Sequence, residues 1–196
     1  TDFVGYDNLN ERTIVAAIVF DGESVNSVDD GQEAGLVLEK TPFYAEMGGQ
    51  VGDRGKINGG VGTFEVSDTV SLKRGVIIHQ GKVSRGVLTV GDAVEVVVDE
   101  ERRLDIARNH TATHLLQVAL RQVLGGYVQQ RGSLVAPNRL RFDFSHLIAL
   151  TGEEIVEVQR IVNDSIRQNL VVHDEEMSYK QAIEEGAIAL VDEKYD

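Results

Sequence analysis

The sequence predicts an α+β fold: a small β-barrel-like part followed by an α+β core built on one long helix. Three observations carry this. Fifteen of the 20 glycines lie in residues 1–98 and five in 99–196. The first half holds short β-branched runs separated by turn residues. The stretch from Glu101 to Leu124 contains neither Gly nor Pro and stops at Gly125-Gly126. We therefore place a β-rich, barrel-like subdomain at 1–98 and an α+β core at 99–196.

Taken in order, Thr13–Phe20 reads as a strand ended by Asp21-Gly22, and Gly35–Glu39 as a second. Lys56-Ile57, Asn58-Gly59-Gly60 and Thr63–Val66 form a hairpin signal. Gly75–His79, Val87–Val90 and Ala93–Val98 complete the first half. On the long helix, Leu104, Ala107, Thr111, Leu115, Val118 and Ala119 recur at helical spacing and predict an apolar face. Gly132–Val135 and Leu140–Phe144 read as strands around a Pro137-Asn138 turn. Thr151-Gly152-Glu153-Glu154 is a capping-box signal. The helix it opens runs to about Gln168, with Ile155, Val158, Ile161, Val162 and Ile166 expected inward. Leu170–His173 reads as a strand and Ser178–Glu185 as a short helix closed by Gly186.

At 196 residues and 21.5 kDa the chain can bury one sizeable core or two small ones. There is no Cys, which excludes disulfides, a thiol nucleophile and thiolate metal ligands from this chain and makes a reducing cytoplasm the expected setting. No run of 18 apolar residues is present, so no membrane partner is expected. The opening Thr1-Asp2-Phe3-Val4-Gly5-Tyr6 has neither a signal-peptide pattern nor an initiator Met, which suggests a processed chain or an excised fragment. Net charge is −13, against nonspecific coating of nucleic acid. Residues 102–145 nevertheless hold seven arginines (Arg102, Arg103, Arg108, Arg121, Arg131, Arg139, Arg141) and only Asp105 and Asp143 as acids. Those arginines either pair with surface acids or present an anion-binding face.

Three segments could carry chemistry. His110-Thr111-Ala112-Thr113-His114 lies in the long helix. Four residues at about 100° each return His114 to within roughly 40° of His110, so the pair can hold one metal ion. Two ligands do not complete a zinc site, and His79, His146, His173, Asp143 and Glu176 are the further donors in the chain. The second segment is Thr41–Asp53, where Gly48, Gly49 and Gly52 let backbone amides approach a ligand and Gln50 offers both donor and acceptor. An elaborate turn is its simpler reading. The third segment, Gln130–Val135 and Leu140–His146, alternates polar and apolar residues as half-buried strands do. No Ser-His-Asp arrangement identifies a nucleophile there.

Together these segments resemble the editing domain of the alanyl-tRNA synthetases, over essentially the whole chain from Phe3-Val4-Gly5-Tyr6 to Glu193-Lys194-Tyr195. Thr41–Asp53, Arg108–Leu116 and Gly132–Phe144 carry the likeness in the right order, with Met47 where the family more often has Ser. The resemblance implies hydrolysis of seryl- or glycyl-tRNA for alanine. It also implies an N-terminal barrel-like part before an α+β editing core. Zinc would be held by His110 and His114 and by a later Cys-x-x-x-His pair that has no counterpart here. The chain is then expected to be a C-terminally truncated piece whose core is incomplete and whose zinc is weak or absent. ATP, magnesium and alanine belong to an upstream domain of the same synthetase.

Site roles follow from the same resemblance. Gln50, Thr111 and Thr113 are expected to act on the ester or to shape the pocket. Gly48, Gly49, Arg131, Ser133 and Arg141 are expected to meet the acceptor end and terminal adenosine of the tRNA. The alternatives are a freestanding deacylase of the same superfamily, distinguished by its reading frame, and a noncatalytic RNA-binding or interaction module, distinguished by failure of a longer chain to bind zinc.

Overall fold

The computed structural model describes residues 1–72, 75–172, 175 and 177–186. Its strands are β1 (Asp2–Phe3), β2 (Asn10–Phe20), β3 (Glu23–Val25), β4 (Ser27–Asp29), β5 (Glu33–Leu38), β6 (Lys40–Thr41) and β7 (Gly55–Gly59). They continue with β8 (Thr63–Leu72), β9 (Val76–Arg85), β10 (Val87–Thr89), β11 (Ala93–Val98), β12 (Gln130–Ala136) and β13 (Arg139–Phe144). The helices are α1 (Glu100–Leu124), α2 (Gly152–Gln168) and α3 (Tyr179–Glu184). No described helix is long and apolar enough to cross a membrane.

The chain divides into two compact units. The first comprises Thr1–His110 with Leu134–Leu140. The second comprises Thr111–Ser133 and the described residues from Arg141 onward. The division falls inside α1.

The first unit is a closed barrel of six strands. β2, β5, β9, β8, β7 and β11 pair antiparallel in that order, and β11 returns to pair with β2. Closure removes the sheet's free edges. The inward residues follow the two-residue period of a strand: Val94, Val96 and Val98 on β11 are buried while Glu95 is exposed. Two of the register shifts in the barrel, one on β2 and one on β8, reset that phase. On β2 the inward series runs Thr13, Val15, then Ile18, with the shift between Val15 and Ala17. On β8 it runs Phe64, Val66, then Thr69, with the shift between Val66 and Asp68. Each extra residue bends its strand around the barrel and swaps which side chains face in. Leu36, Leu38, Phe43, Ile57, Phe64 and Leu88 fill the core and are fully or almost fully buried. Each such side chain contributes about 1.5–3 kcal/mol by leaving water.

His79 belongs to that core. Thr41 donates its hydroxyl proton to Nε2 of His79 (2.7 Å), and Nδ1–H of His79 donates to the Leu36 carbonyl (2.9 Å). Burial lowers its pKa to about 4 from an ordinary 6.5. It is a neutral, fully satisfied core histidine, not a further donor for the helix pair.

In the second unit, Ala119, Leu120, Val128 and Val158 form a small core with Leu116, Val123, Leu124, Phe142, Phe144, Leu150, Ile161 and Val162 against it. α2 begins at the capping box expected from sequence, with Thr151 accepting from the Glu154 amide at 3.2 Å. It ends on Asn169 in the left-handed conformation at φ 49°. Ile155 and Ile166, expected inward, are exposed, because each lies a turn beyond the short stripe of Val158, Ile161 and Val162. The expected strand at Leu170–His173 is not formed by Leu170, Val171 and Val172, which are exposed and pair with no described strand. His173 lies outside the described residues. α3 is capped by Ser178 through a second reciprocal box with Gln181.

The expected apolar face of α1 is also displaced. Of that face Ala119 is buried and Thr111 and Leu115 are half-buried, but Leu104, Ala107 and Val118 are exposed, and Ile106, Thr113 and Leu120 are buried outside it. The helix turns Arg103, half-buried Asn109 and half-buried His110 inward with Ile106. A count of apolar positions misses that face because polar side chains with bonded partners occupy much of it.

Candidate active site

The loop between β6 and β7 is the centre of the candidate site in the first unit. Met47 and Gln50 exchange backbone hydrogen bonds (Met47 N to Gln50 O, 3.2 Å; Gln50 N to Met47 O, 3.0 Å). Gly48 and Gly49 between them have φ of 61° and 85°. Positive φ at both central residues is the type I′ turn, which Gly-Gly adopts without steric cost. The turn thus folds the loop tip back on itself, and Gln50 leaves it buried.

A second strand segment holds that residue in place. The Val51 amide donates to the Val135 carbonyl (3.0 Å) and the Val135 amide donates to the Gly49 carbonyl (2.8 Å). Gln50 therefore pairs in parallel with Val135. The same segment receives α1: Asn109 Nδ2 donates to the carbonyls of Ala136 (2.7 Å) and Pro137 (3.1 Å). Next along the helix, Nδ1 of His110 lies 2.7 Å from Oε1 of Gln50. Since a side-chain carbonyl can only accept, the imidazole donates from Nδ1. Two of the segments singled out in the sequence thus meet through this one side-chain bond.

The loop's far end is tied by a buried ion pair. Asp53 is 1% exposed and accepts from the Tyr44 amide (2.7 Å) and from the Arg103 guanidinium. Arg103 also donates to the carbonyls of Gly5 (2.9 Å) and Pro42 (2.8 Å). Arg102 reaches the Gly52 carbonyl at 2.9 Å. Gly52 has no room for a side chain, since a Cβ there would stand 2.1 Å from the Thr69 carbonyl oxygen. Sequence reasoning passed over Asp53, Arg103 and Asn109 as positioning residues. Their signal was faint: an acid closing a glycine-rich loop, and polar residues on a helix face otherwise read as solvated.

The second unit holds the other candidates. Thr113 is buried, Thr111 is half-buried and His114 is exposed. Ser133 accepts from Gln130 Nε2 at 3.3 Å. Arg131 is exposed, and the exposed Arg141 pairs with Asp143 at 3.1 Å. Arg121 donates to the Val128 carbonyl (2.9 Å). His146 stacks on Tyr127, whose hydroxyl lies 2.9 Å from its Nδ1. The arginine-rich stretch is thus divided in use: Arg102, Arg103 and Arg121 hold backbone carbonyls, Arg108 and Arg141 pair with Asp105 and Asp143, and Arg131 and Arg139 are exposed. Glu176 lies outside the described residues. Among the described residues, no group of three or more His, Cys, Asp or Glu side chains is placed to share a metal ion.

Residues 1–102 match the family model described as tRNA synthetases class II (A). The chain belongs to the class II tRNA synthetases. As a class II synthetase chain it is also similar, along its whole length, to proteins named alanine–tRNA ligase. That of Dehalococcoides mccartyi strain 195 is 56% identical over 195 residues, covering 100% of this chain and 22% of the relative. That of Chloroflexus aurantiacus is 48% identical over 193 residues, covering 98% of this chain and 22% of the relative. This synthetase chain therefore spans about a fifth of the length of the curated relatives it matches.

Proposed function

We propose that this chain is the editing part of an alanine–tRNA ligase, hydrolysing the ester of seryl- or glycyl-tRNA for alanine. The observation that carries the reading is the Gln50–His110 bond, which joins the glycine-rich loop to a helix bearing two histidines one turn apart. Similarity to alanine–tRNA ligases over the whole chain supports it.

In this reading the chemistry divides among a few side chains. His110 and His114 would be two of the ligands of a zinc ion. The donor chemistry of His110 fits: with Nδ1 turned to the Gln50 oxygen, Nε2 is the ring atom that would face a divalent metal. Further ligands come from elsewhere in the longer protein, so this chain alone binds zinc weakly. Bound zinc supplies a positive centre that orients substrate and polarises groups around it. Thr111 and Thr113 are the proposed partners of a serine hydroxyl, and a polar partner lets a site prefer serine where an apolar one excludes only by size. Backbone donors of Gly48 and Gly49 are the proposed contacts to the terminal ribose and ester. Arg131, Ser133 and Arg141 are the proposed contacts to the acceptor end. ATP, magnesium and the ligation of alanine belong to the remaining domains, and the cytoplasm is the proposed compartment.

The test is a His110→Ala exchange in the full-length enzyme. Hydrolysis of seryl-tRNA for alanine is expected to fall at least about 100-fold, the scale of losing a positioned catalytic group. Alanine activation is expected to be unchanged. Undiminished hydrolysis in that variant would refute the assignment.

A further inference from the structure

We propose that Gln50 is a positioning residue for His110, the residue read above as a metal ligand. The inference rests on the zinc reading above and assigns Gln50 a different task from direct contact with substrate.

The geometry commits Gln50 before any substrate arrives. Its backbone is fixed on one side by the Gly48-Gly49 turn and on the other by Val135. Its side chain is buried, so its amide oxygen is removed from solvent competition. That oxygen lies 2.7 Å from Nδ1 of His110. Asn109, anchored on Ala136 and Pro137, holds the helix against rotation at the same level. Three chain segments of the first unit thus converge on one imidazole.

The chemical consequence is a fixed tautomer. An acceptor at Nδ1 keeps the proton there and makes Nε2 the electron-pair donor. Outer partners of this kind set the ring orientation and raise ligand basicity, and losing one typically weakens metal binding about 10–100-fold.

The test uses the full-length protein and zinc itself. Zinc affinity is read by competition with a chromophoric chelator, and hydrolysis of seryl-tRNA is read separately. Gln50→Met keeps the buried volume and removes the acceptor; it is expected to weaken zinc binding about 10–100-fold. Gln50→Glu restores an acceptor at the same reach and is expected to recover wild-type affinity or better. Wild-type zinc affinity in Gln50→Met, with hydrolysis slowed, would place Gln50 against the ester and overturn the proposal while leaving the editing reading intact. A full-length wild-type protein that holds no zinc would overturn the reading beneath it.

Discussion

Among single residues, His79 is the most informative about stability. Its imidazole is neutral in the barrel core because burial outweighs its bond to the Leu36 carbonyl. The unfolded chain binds its proton near pH 6.5 and the folded barrel only near 4. Stability from this residue is therefore complete above about pH 6.5 and is lost as pH falls toward 4, by about 3 kcal/mol in all. Urea midpoints measured between pH 7 and 4 should decline in that window, and a His79→Gln variant should lack this part of the decline. Glycine offers a paired comparison in the loop. Gly48 has φ +61° with open space around it, so Gly48→Ala is expected to cost only backbone strain, about 1–2 kcal/mol. Gly52→Ala must push a Cβ into the Thr69 carbonyl and should cost clearly more. Equal unfolding midpoints for the two variants would contradict this.

At the level of elements, the loop between β6 and β7 depends on its buried ion pair. Asp53→Asn removes the charge opposite a mostly buried Arg103 that also holds Gly5 and Pro42. A loss of about 3–5 kcal/mol is expected, because an uncompensated buried charge remains. Restoration by a second exchange, Arg103→Met, would show that the isolated charge is the cause. On α2, Thr151→Ala removes the hydroxyl half of the capping box, leaving the residue's backbone N–H to bond Glu154, and should cost about 1 kcal/mol in thermal unfolding. The helix ends were legible because caps are local chemistry: a hydroxyl, an acid three residues on, a residue tolerant of the left-handed conformation. The inward face of α1 was not legible. Arg103, Asn109 and His110 turn inward to bond partners brought from residues 5, 42, 50, 53, 136 and 137. No periodicity of apolar residues encodes those partners. The same limit misplaced Ile155, Ile166 and the strand expected after α2.

On the scale of the whole molecule, charge and closure matter most. In the proposed reading this acidic chain meets tRNA through local cations, and exposed Arg131 is one of them. Arg131→Ala in the full-length enzyme should raise KM for mischarged tRNA with little effect on kcat. It should also flatten the salt dependence of binding by about one counterion. An unchanged salt slope would remove Arg131 from the tRNA contact. Closure makes the barrel core a single packing problem. Phe64, fully buried on β8, should cost about 3–5 kcal/mol when truncated to Ala.

By itself the sequence determined a mixture of helix and sheet, the strand-rich first half and the long helix after it, since each depends on residues near one another in the chain. It also carried, through its motifs, the family to which the chain belongs. Tertiary structure alone decided the antiparallel closure of β11 onto β2 and the two bulges that reset the inward series. It also decided that His79 is core while Gln50 faces His110. Those outcomes depend on residues dozens of positions apart meeting in space, where burial and hydrogen-bond pairing, rather than local propensity, choose the partner.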